Sequence, residues 1–311
     1  MDAVAGLLDG PRARNAFVLR CVMAPPWSLQ IEDEVPLAAI AQFAGESWIA
    51  PVGGEPLKLN AGDVALVRGP DHYRLADDPA TPPQMIVHPG NRCQTLAGED
   101  LAERMSLGVR TWGNAPDGPT VLLIGNYELR GEINRRLLDA LPPLLVLRAE
   151  DWDTPVLDLL AQEIVKDAPG QAAVLDRLLD LLVIAVLRSW FARPEAKAPA
   201  WYRAQTDPIV GRALRLLENN PEVPWTVASL AAEAGLSRAA LARRFNQLVG
   251  EPPMTYLTEW RLALAADLLR EPGATIGSVA QQVGYGSPFA LSAAFKRVRG
   301  VSPQQHRALA G

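Results

Sequence analysis

One helix-pair pattern occurs twice in the C-terminal third of this 311-residue chain, and its two copies lie about fifty residues apart. The first copy runs from Thr226 to Gly250 and the second from Thr275 to Gly300. Matching positions carry matching residue types, as in the pairs Gly235 and Gly284, Leu241 and Leu291, and Phe245 and Phe295. This duplication constrains the fold more than any other feature, because both copies must build the same local structure.

Each copy is typical of a helix-turn-helix. Thr226 and Thr275 can cap a short first helix, and Gly235 and Gly284 can end it, because the residue after a last helical turn often has a positive φ. Ser237 and Ser287 can then cap a second helix, with Pro288 at its first position. Each second helix has a stripe at i, i+4 and i+7 that we expect to be buried: Leu241, Phe245 and Leu248, and Leu291, Phe295 and Val298.

The segment between the two copies, Met254 to Arg270, predicts one helix. Its length of roughly 25 Å, at 1.5 Å per residue, could hold two recognition helices about one DNA turn apart. A plain helical bundle would explain the apolar spacing but not the repeated turns.

The region from Asp207 to Gln305 resembles the DNA-binding domain of the AraC/XylS family of bacterial transcription regulators. The family's signature matches Ile276, Val279, Ala280, Val283, Gly284, Tyr285, Phe295, Lys296, Gly300, Val301, Ser302 and Pro303. The resemblance implies a regulator that binds a double-stranded DNA operator, with RNA polymerase as a further partner.

The faces opposite the two apolar stripes are the predicted DNA contacts. The candidates are Arg238, Ala239, Ala242, Arg243, Asn246, Ser287, Phe289, Ser292, Ala293 and Lys296. Arg243 is the best base reader, because arginine can make a bidentate contact to guanine, whereas Arg238 and Lys296 could equally bind phosphates. Ala239, Ala242 and Ala293 occupy positions where the family often has large polar residues. We therefore expect DNA shape and contacts with methyl groups to matter more for recognition. The alternative is that the charged candidates are ordinary solvated surface residues.

The net charge of −5 is unevenly distributed. From Thr206 onward, eleven Lys and Arg residues outnumber eight Asp and Glu residues, giving +3 for this part and −8 for the rest. A basic end can attract phosphates while an acidic remainder limits non-specific binding. Charge alone would be weak support for a DNA-binding function.

Residues 1–130 predict mostly strands: Phe17–Met23, Leu37–Phe43, Ser47–Val52, Asp63–Arg68, Gln84–His88 and Thr120–Leu129. Short strands with regular turns favour an antiparallel barrel or jelly roll. The segments Leu57–Val67 with His72, Pro26-Trp27 and His88–Cys93 resemble the cupin-type sensor half of one branch of these regulators. The predicted fold class is therefore α+β, with a cupin-like β-barrel and flanking helices before an all-α domain that holds two helix-turn-helix motifs.

A metal-dependent cupin enzyme fused to a DNA-binding tail is the alternative function. Cupin metal sites normally begin with a His-x-His pair, and this chain has no such pair among its three histidines, His72, His88 and His306. We therefore expect no catalytic residues, no bound metal and no cofactor.

The pattern changes to helix at Asp151, with helices predicted over Asp153–Lys166 and Gln171–Ala192. The second is apolar nearly all round, so we expect a partner chain to cover one face, with Val183 and Leu187 pointing outward. The resembling family dimerises through such helices, which implies a homodimer. The predicted boundaries are 1–193 for the sensor (barrel about 5–130, helices about 151–193), 194–206 for a linker and 207–305 for the DNA-binding domain, with motifs at 226–249 and 275–299.

Cys21 and Cys93 allow three interpretations. Both can be small buried apolar residues, or Arg92 can favour a reactive Cys93 thiolate. The resembling branch includes sensors of reactive chlorine species, which supports a redox role. In the third interpretation they bind a soft metal with His88 or His72. The rival to redox sensing is an apolar effector framed by Trp27, Trp48 and Tyr73.

We expect this chain to reside in the cytoplasm. Acidic residues and prolines interrupt its N-terminus, which shows no secretory signal pattern. Its most apolar run, Leu181 to Leu187, is far shorter than the roughly twenty residues of a membrane span. Two cysteines do not make a disulfide framework.

Overall fold

A computed structural model describes residues 17–127, 132–152, 155–193, 196 and 198–309. These residues form two compact units, which are described separately below. The first unit contains residues 17–127 and 141–196, and the second contains 132–140 and 198–309.

Thirteen strands are described in the first unit. They are β1 (Phe17–Met23), β2 (Ser28–Ile31), β3 (Leu37–Ala44), β4 (Glu46–Pro51), β5 (Leu57–Asn60), β6 (Val64–Arg68), β7 (Tyr73–Ala76), β8 (Met85–His88), β9 (Arg92–Thr95), β10 (Ser106–Gly108), β11 (Thr111–Gly113), β12 (Thr120–Tyr127) and β13 (Leu144–Leu147). The six predicted strands correspond to β1, β3, β4, β6, β8 and β12, with the predicted end of the last one outside the described residues. The other strands have only three or four residues, too few for a clear alternation of apolar and polar positions.

The strands form two sheets that enclose the core of this unit. The seven-stranded sheet has the order β10-β11-β1-β12-β3-β6-β13, and the six-stranded sheet has the order β5-β4-β7-β2-β8-β9. Buried side chains from both sheets meet in one cluster that includes Met23, Ile40, Leu59 and Leu75. The predicted sheet-rich first domain is therefore confirmed. Its two sheets do not close into the predicted barrel.

The described helices are α1 (Glu132–Leu138), α2 (Val156–Ile164), α3 (Gln171–Phe191), α4 (Ala200–Ala204), α5 (Val210–Asn219), α6 (Val227–Glu233), α7 (Arg238–Val249), α8 (Pro253–Leu268), α9 (Ile276–Gln282), α10 (Pro288–Arg299) and α11 (Pro303–Leu309). Of these, α2 and α3 belong to the first unit and match the two predicted helices, although α2 is shorter at both ends. None of the helices in the described ranges is long and apolar enough to cross a membrane.

The orientation predicted for α3 is wrong. Val183 and Leu187 are fully buried within the chain rather than pointing outward. The exposed large apolar residues of α3 are instead Val174 and Leu181. Because nearly every position in this stretch is apolar, the sequence could not tell the inner face from the outer one.

The second unit includes part of the segment that was predicted to be a linker. Within the predicted linker 194–206, residues 200–204 form α4, whose Trp201 and Ala204 side chains are buried. These residues therefore pack as part of the helical unit. The predicted spacer helix, Met254–Arg270, corresponds to α8, which starts with a proline at its first position.

Helix α1 also belongs to the second unit, although the sequence prediction placed this segment in the sensor domain. The Glu132 backbone N–H donates to the Asp267 carboxylate over 2.7 Å, and the Glu132 carboxylate pairs with Arg299 at 2.6 Å. The Arg136 guanidinium lies over the Trp201 and Tyr256 rings, 5.5 and 4.7 Å from their centroids. These contacts tie α1 to α8, α10 and α4.

Candidate nucleic-acid interface and sensor cavity

Both helix-turn-helix motifs start with the same reciprocal cap. The Thr226 hydroxyl oxygen accepts from the Ser229 N–H at 3.0 Å, while the Ser229 hydroxyl oxygen accepts from the Thr226 N–H at 2.9 Å. Thr275 and Ser278 repeat this arrangement at 3.0 and 3.1 Å. The duplicated sequence therefore gives a duplicated local structure, since each pair satisfies two backbone donors that a helix start leaves free.

The two turns have the same conformation but different surroundings. Gly235 has a φ of +70° and Gly284 a φ of +77°. A Cβ atom at Gly235 would meet nothing within 4 Å, whereas one at Gly284 would lie 2.6 Å from the Pro221 carbonyl oxygen. The second turn is thus packed closely against the chain, and the first turn is open.

Arg261 of helix α8 links the two motifs. Its Nε donates to the Pro221 carbonyl at 2.6 Å and its Nη2 to the Val223 carbonyl at 2.8 Å, both just before the first motif. The same guanidinium lies 5.9 Å from the Tyr285 ring centroid, in the turn of the second motif. The spacer helix therefore helps to fix one motif relative to the other within this unit.

The predicted buried stripes are correct except near their ends. Leu241, Phe245, Leu291 and Phe295 are fully buried, and Leu248 is half-buried. Val298 is 42% exposed, which contradicts its predicted burial. The core cluster takes Leu291, Ala294 and Phe295 from α10, at spacing i, i+3 and i+4, so Val298 has no place in it.

All ten predicted DNA contacts are on the accessible surface of the two second helices or their caps. Arg238, Ala239, Arg243, Asn246, Phe289, Ala293 and Lys296 are exposed, and Ala242, Ser287 and Ser292 are partly exposed. Arg238, Arg243 and Lys296 form no side-chain hydrogen bond or ion pair with any residue that the structure describes. Their charges are therefore available to a ligand.

Arg244, beside Arg243 on α7, has a different environment. Its Nη2 donates to an Asp207 carboxylate oxygen at 2.6 Å, and its Nε donates to the same oxygen at 3.2 Å. This hydrogen bonding lowers the pKa of Asp207. Of these two adjacent arginines, Arg244 is held by Asp207, and Arg243 forms no such contact with the residues that the structure describes.

The second recognition helix offers few free polar groups. The Ser287 hydroxyl accepts from the Ala290 N–H, and the Ser292 hydroxyl donates to the Pro288 carbonyl at 2.8 Å. Phe289, at the second position of α10, is 86% exposed.

The first unit contains a cavity of about 230 Å³ between its two sheets. Its lining includes Cys21 from β1 and Cys93 from β9, so the fold brings the two cysteines to one site. Tyr73 lines this cavity as predicted. Trp27 and Trp48 do not: Trp27 is fully buried elsewhere in the core, and Trp48 lies under the Lys58 ammonium.

Both cysteines are free and buried. Burial, with a smaller contribution from Cys93, raises the pKa of Cys21 to about 12. Burial, followed by the Asp100 charge, raises the pKa of Cys93 to about 11. The thiolate that Arg92 was expected to favour at Cys93 is therefore disfavoured, and both side chains are thiols at neutral pH.

The two histidines proposed as metal ligands do not lie with the cysteines. His88 ends β8 opposite Arg92 and is absent from the cavity lining. Within the described part of the chain, no three His, Cys, Asp or Glu side chains are placed to hold a metal ion.

A chain with a sheet-rich domain and a helical unit that holds two helix-turn-helix motifs belongs to the class of DNA-binding regulators with a separate N-terminal domain. The cupin family model matches residues 2–192, and a helix-turn-helix domain model matches residues 230–308. A putative AraC-like transcription regulator of Streptomyces lividans is 35% identical over 315 residues, which cover 99% of this chain and 98% of that protein. The chain therefore belongs to the AraC family of transcription regulators and has an N-terminal cupin domain.

Two further proteins resemble this chain. The RCS-specific HTH-type transcriptional activator RclR of Escherichia coli strain K12 is 26% identical, over 99% of this chain and 97% of that one. The DNA-binding domain of the global transcriptional factor AdpA, solved in complex with a target DNA, is 36% identical; the match covers 33% of this chain and 93% of that chain with a TM-score of 0.31.

Proposed function

We propose that this AraC-type regulator reads its operator directly through Arg243 and that a small molecule in the sensor cavity controls it. The observation that carries the first part is the contrast on α7: Arg243 is exposed and has no side-chain partner among the described residues, whereas Arg244 is bound to Asp207. An unpaired arginine on the exposed face of a recognition helix can donate two hydrogen bonds to a guanine edge.

The second motif contributes mainly shape and apolar contact. Ser287 and Ser292 direct their hydroxyl groups to the backbone of α10, and Ala293 has no polar atom to offer. Phe289 supplies the apolar contact and Lys296 binds a phosphate, as Arg238 does from the first motif. Sequence preference should therefore be stronger in the half of the operator that α7 contacts.

Selection of duplexes from a random pool by the full-length chain tests this proposal. One sequence should be enriched, with two preferred blocks about one helical turn apart and the stricter block containing guanine. A pool that remains random after several rounds would contradict the proposal.

For the effector, the buried thiols favour a small-molecule ligand over an oxidant. The thiolate is the species that oxidants attack, and both cysteine pKa values lie far above neutral pH. Oxidant sensing is the second candidate, because Cys21 and Cys93 line one cavity and a 26% identical relative is named as RCS-specific.

Thiol labelling separates the two candidates. At pH 7.5 the folded chain should react with iodoacetamide at least about a hundredfold more slowly than free cysteine, because few thiolates form when the pKa is 11 to 12. Urea-unfolded protein provides the control and should label fully. Rapid labelling of either cysteine in the folded state, together with loss of the oxidant response in Cys21→Ala/Cys93→Ala protein, would favour redox sensing instead.

We also propose that α3 forms a homodimer interface with a second copy of the chain. Val174, Leu178, Leu181 and Ala185 follow the spacing i, i+4, i+7 and i+11, so they form one stripe. All four are exposed or partly exposed, in contrast with the fully buried Val183 and Leu187 of the same helix. A second α3 would cover this stripe with apolar residues of the same kind.

Leu181→Glu should convert the dimer to a folded monomer with weaker operator binding, because a buried unpaired carboxylate disfavours association. Sedimentation at tens of micromolar gives the oligomeric state. Leu96→Glu, which makes the same change at a position 63% exposed in a turn, is the matched control and should remain dimeric. Wild-type protein that sediments as a monomer would contradict the proposed interface.

A further inference from the structure

Arg261 lies where helix α8 passes from the first helix-turn-helix motif to the second. On the N-terminal side of Arg261, Tyr256 packs against Phe245 of α7, with ring centroids 5.9 Å apart. On its C-terminal side, Leu262 and Ala265 belong to the core cluster of the second motif. The Arg261 side chain is therefore placed at the junction between the two motifs.

The guanidinium of Arg261 holds the segment that leads into the first motif. Its Nε and Nη2 donate to the carbonyl oxygens of Pro221 and Val223. The Val223 oxygen also accepts from the Trp225 N–H at 2.7 Å, and the next residue, Thr226, caps α6. A displacement of this guanidinium would therefore be transmitted to the first turn of α6.

The turn of the second motif packs against the same guanidinium. The Tyr285 ring centroid is 5.9 Å from the Arg261 Cζ, which is within the roughly 6 Å range of a cation–π contact. The Gly284 backbone approaches so closely that a Cβ there would lie 2.7 Å from the Arg261 Nη2. Groups from both motifs thus converge on one charged side chain.

Arginine suits this junction because its donors have a fixed spacing. A planar guanidinium can donate to two carbonyl oxygens at once and still contact an aromatic ring, whereas lysine carries one compact ammonium on a flexible stem. Burial lowers the pKa of Arg261, so the group is partly removed from water and depends on its carbonyl acceptors. Loss of the guanidinium should therefore loosen the junction.

The relative orientation of the two recognition helices decides which operators both can bind. One added base pair moves a half-site by about 3.4 Å along the duplex and turns it by roughly 35° about the duplex axis. Helices α7 and α10 can follow such a change only if the junction between the motifs yields. A rigid junction therefore makes binding sensitive to spacing.

We propose that Arg261 is a positioning residue that sets the base-pair spacing between the two blocks of the operator. It acts by holding α7 and α10 in one relative orientation. This inference rests on the proposed reading of the operator by both motifs. It adds the residue that selects the spacing.

Binding of the full-length chain to three duplexes tests the proposal. They are the selected operator and two versions of it, with one base pair inserted or removed between its blocks. Wild-type protein should bind both altered duplexes at least about tenfold more weakly, because one motif then loses its base contacts. Arg261→Met should bind all three within about threefold of one another. A loss of stability alone would weaken all three equally, so the ratio reports on positioning.

Two further variants complete the test. Arg270→Met makes the same change at an exposed arginine two positions beyond the end of α8, and it should keep the wild-type spacing preference. Arg261→Lys keeps the charge without the fork and should lose most of the preference, so it also serves if Arg261→Met does not fold.

Equal binding of the wild-type chain to all three spacings would overturn the proposal. So would a tenfold spacing preference that persists in each folded Arg261 variant. Failure of the proposed DNA-binding function would look different, because the wild-type chain would then show no preference for the selected duplex over a random one.

Discussion

Replacing Arg243 with alanine should weaken binding to the preferred operator by about 1–3 kcal/mol and relax specificity at one or two base pairs. The reason is that Arg243 is exposed on α7 and its guanidinium is not engaged by the described protein residues. The loss should be much smaller on random DNA, because a base-reading contact contributes little there. Equilibrium titrations on both duplexes at one salt concentration measure the difference.

Arg244→Ala is the matched control, since it removes the same charge from the next position of the same helix. Arg244 is bound to Asp207, so this change should not alter the ratio of specific to random binding. If Arg243→Ala also left that ratio unchanged, Arg243 would be a phosphate contact or a surface residue and not a base reader.

Gly284→Ala should destabilise the DNA-binding unit by about 3 kcal/mol or more. An alanine there would have to adopt a φ of +77° and would bring its Cβ within 2.6 Å of the Pro221 carbonyl oxygen. It would also approach the Arg261 guanidinium to within 2.7 Å, which disturbs the link between the two motifs. We expect a lower urea midpoint of the helical circular dichroism signal and reduced operator binding.

Gly235→Ala isolates the effect of packing from that of backbone conformation. The first turn has nearly the same φ, +70°, but open space where the Cβ would lie. Its cost should therefore be only the left-handed penalty of about 1–2 kcal/mol. Equal losses of stability in the two variants would show that the close approach at Gly284 has no consequence.

The DNA-binding unit was largely predictable because its signals are local. Caps at Thr226 and Thr275 and turns at Gly235 and Gly284 depend on residues within one or two helical turns, and the structure places them as predicted. The link through Arg261 was not predictable, since it joins a helix to a loop about forty positions earlier in the chain. No local pattern marks such a contact.

The fold class of the cupin domain was predictable from the sequence, but its details were not. Alternation of apolar and polar residues identifies strands. It does not show which aromatic residues surround a cavity, because that depends on how the two sheets face each other. Tyr73 was therefore placed correctly, and Trp27 and Trp48 were not. The same limit explains the wrong outer face of α3. It also explains Cys93, where the neighbouring Arg92 suggested a thiolate and burial raises the pKa instead.

No sequence pattern indicates that α1 packs with the helical unit. Its short length, Glu132–Leu138, falls below the range in which apolar periodicity is informative. The residues that hold it, including Asp267 and Arg299, lie more than a hundred positions later. Contacts of this kind become visible only in three dimensions.

Recognition of a DNA sequence through the two helix-turn-helix motifs is the proposed function of this chain. Competition binding of the full-length protein, with a selected duplex against a random duplex of equal length, tests it most directly. We expect a preference of roughly a thousandfold or more for the selected duplex at physiological salt, with affinity for both duplexes falling as salt rises. A preference close to one, with the protein folded and binding both duplexes through charge alone, would contradict it.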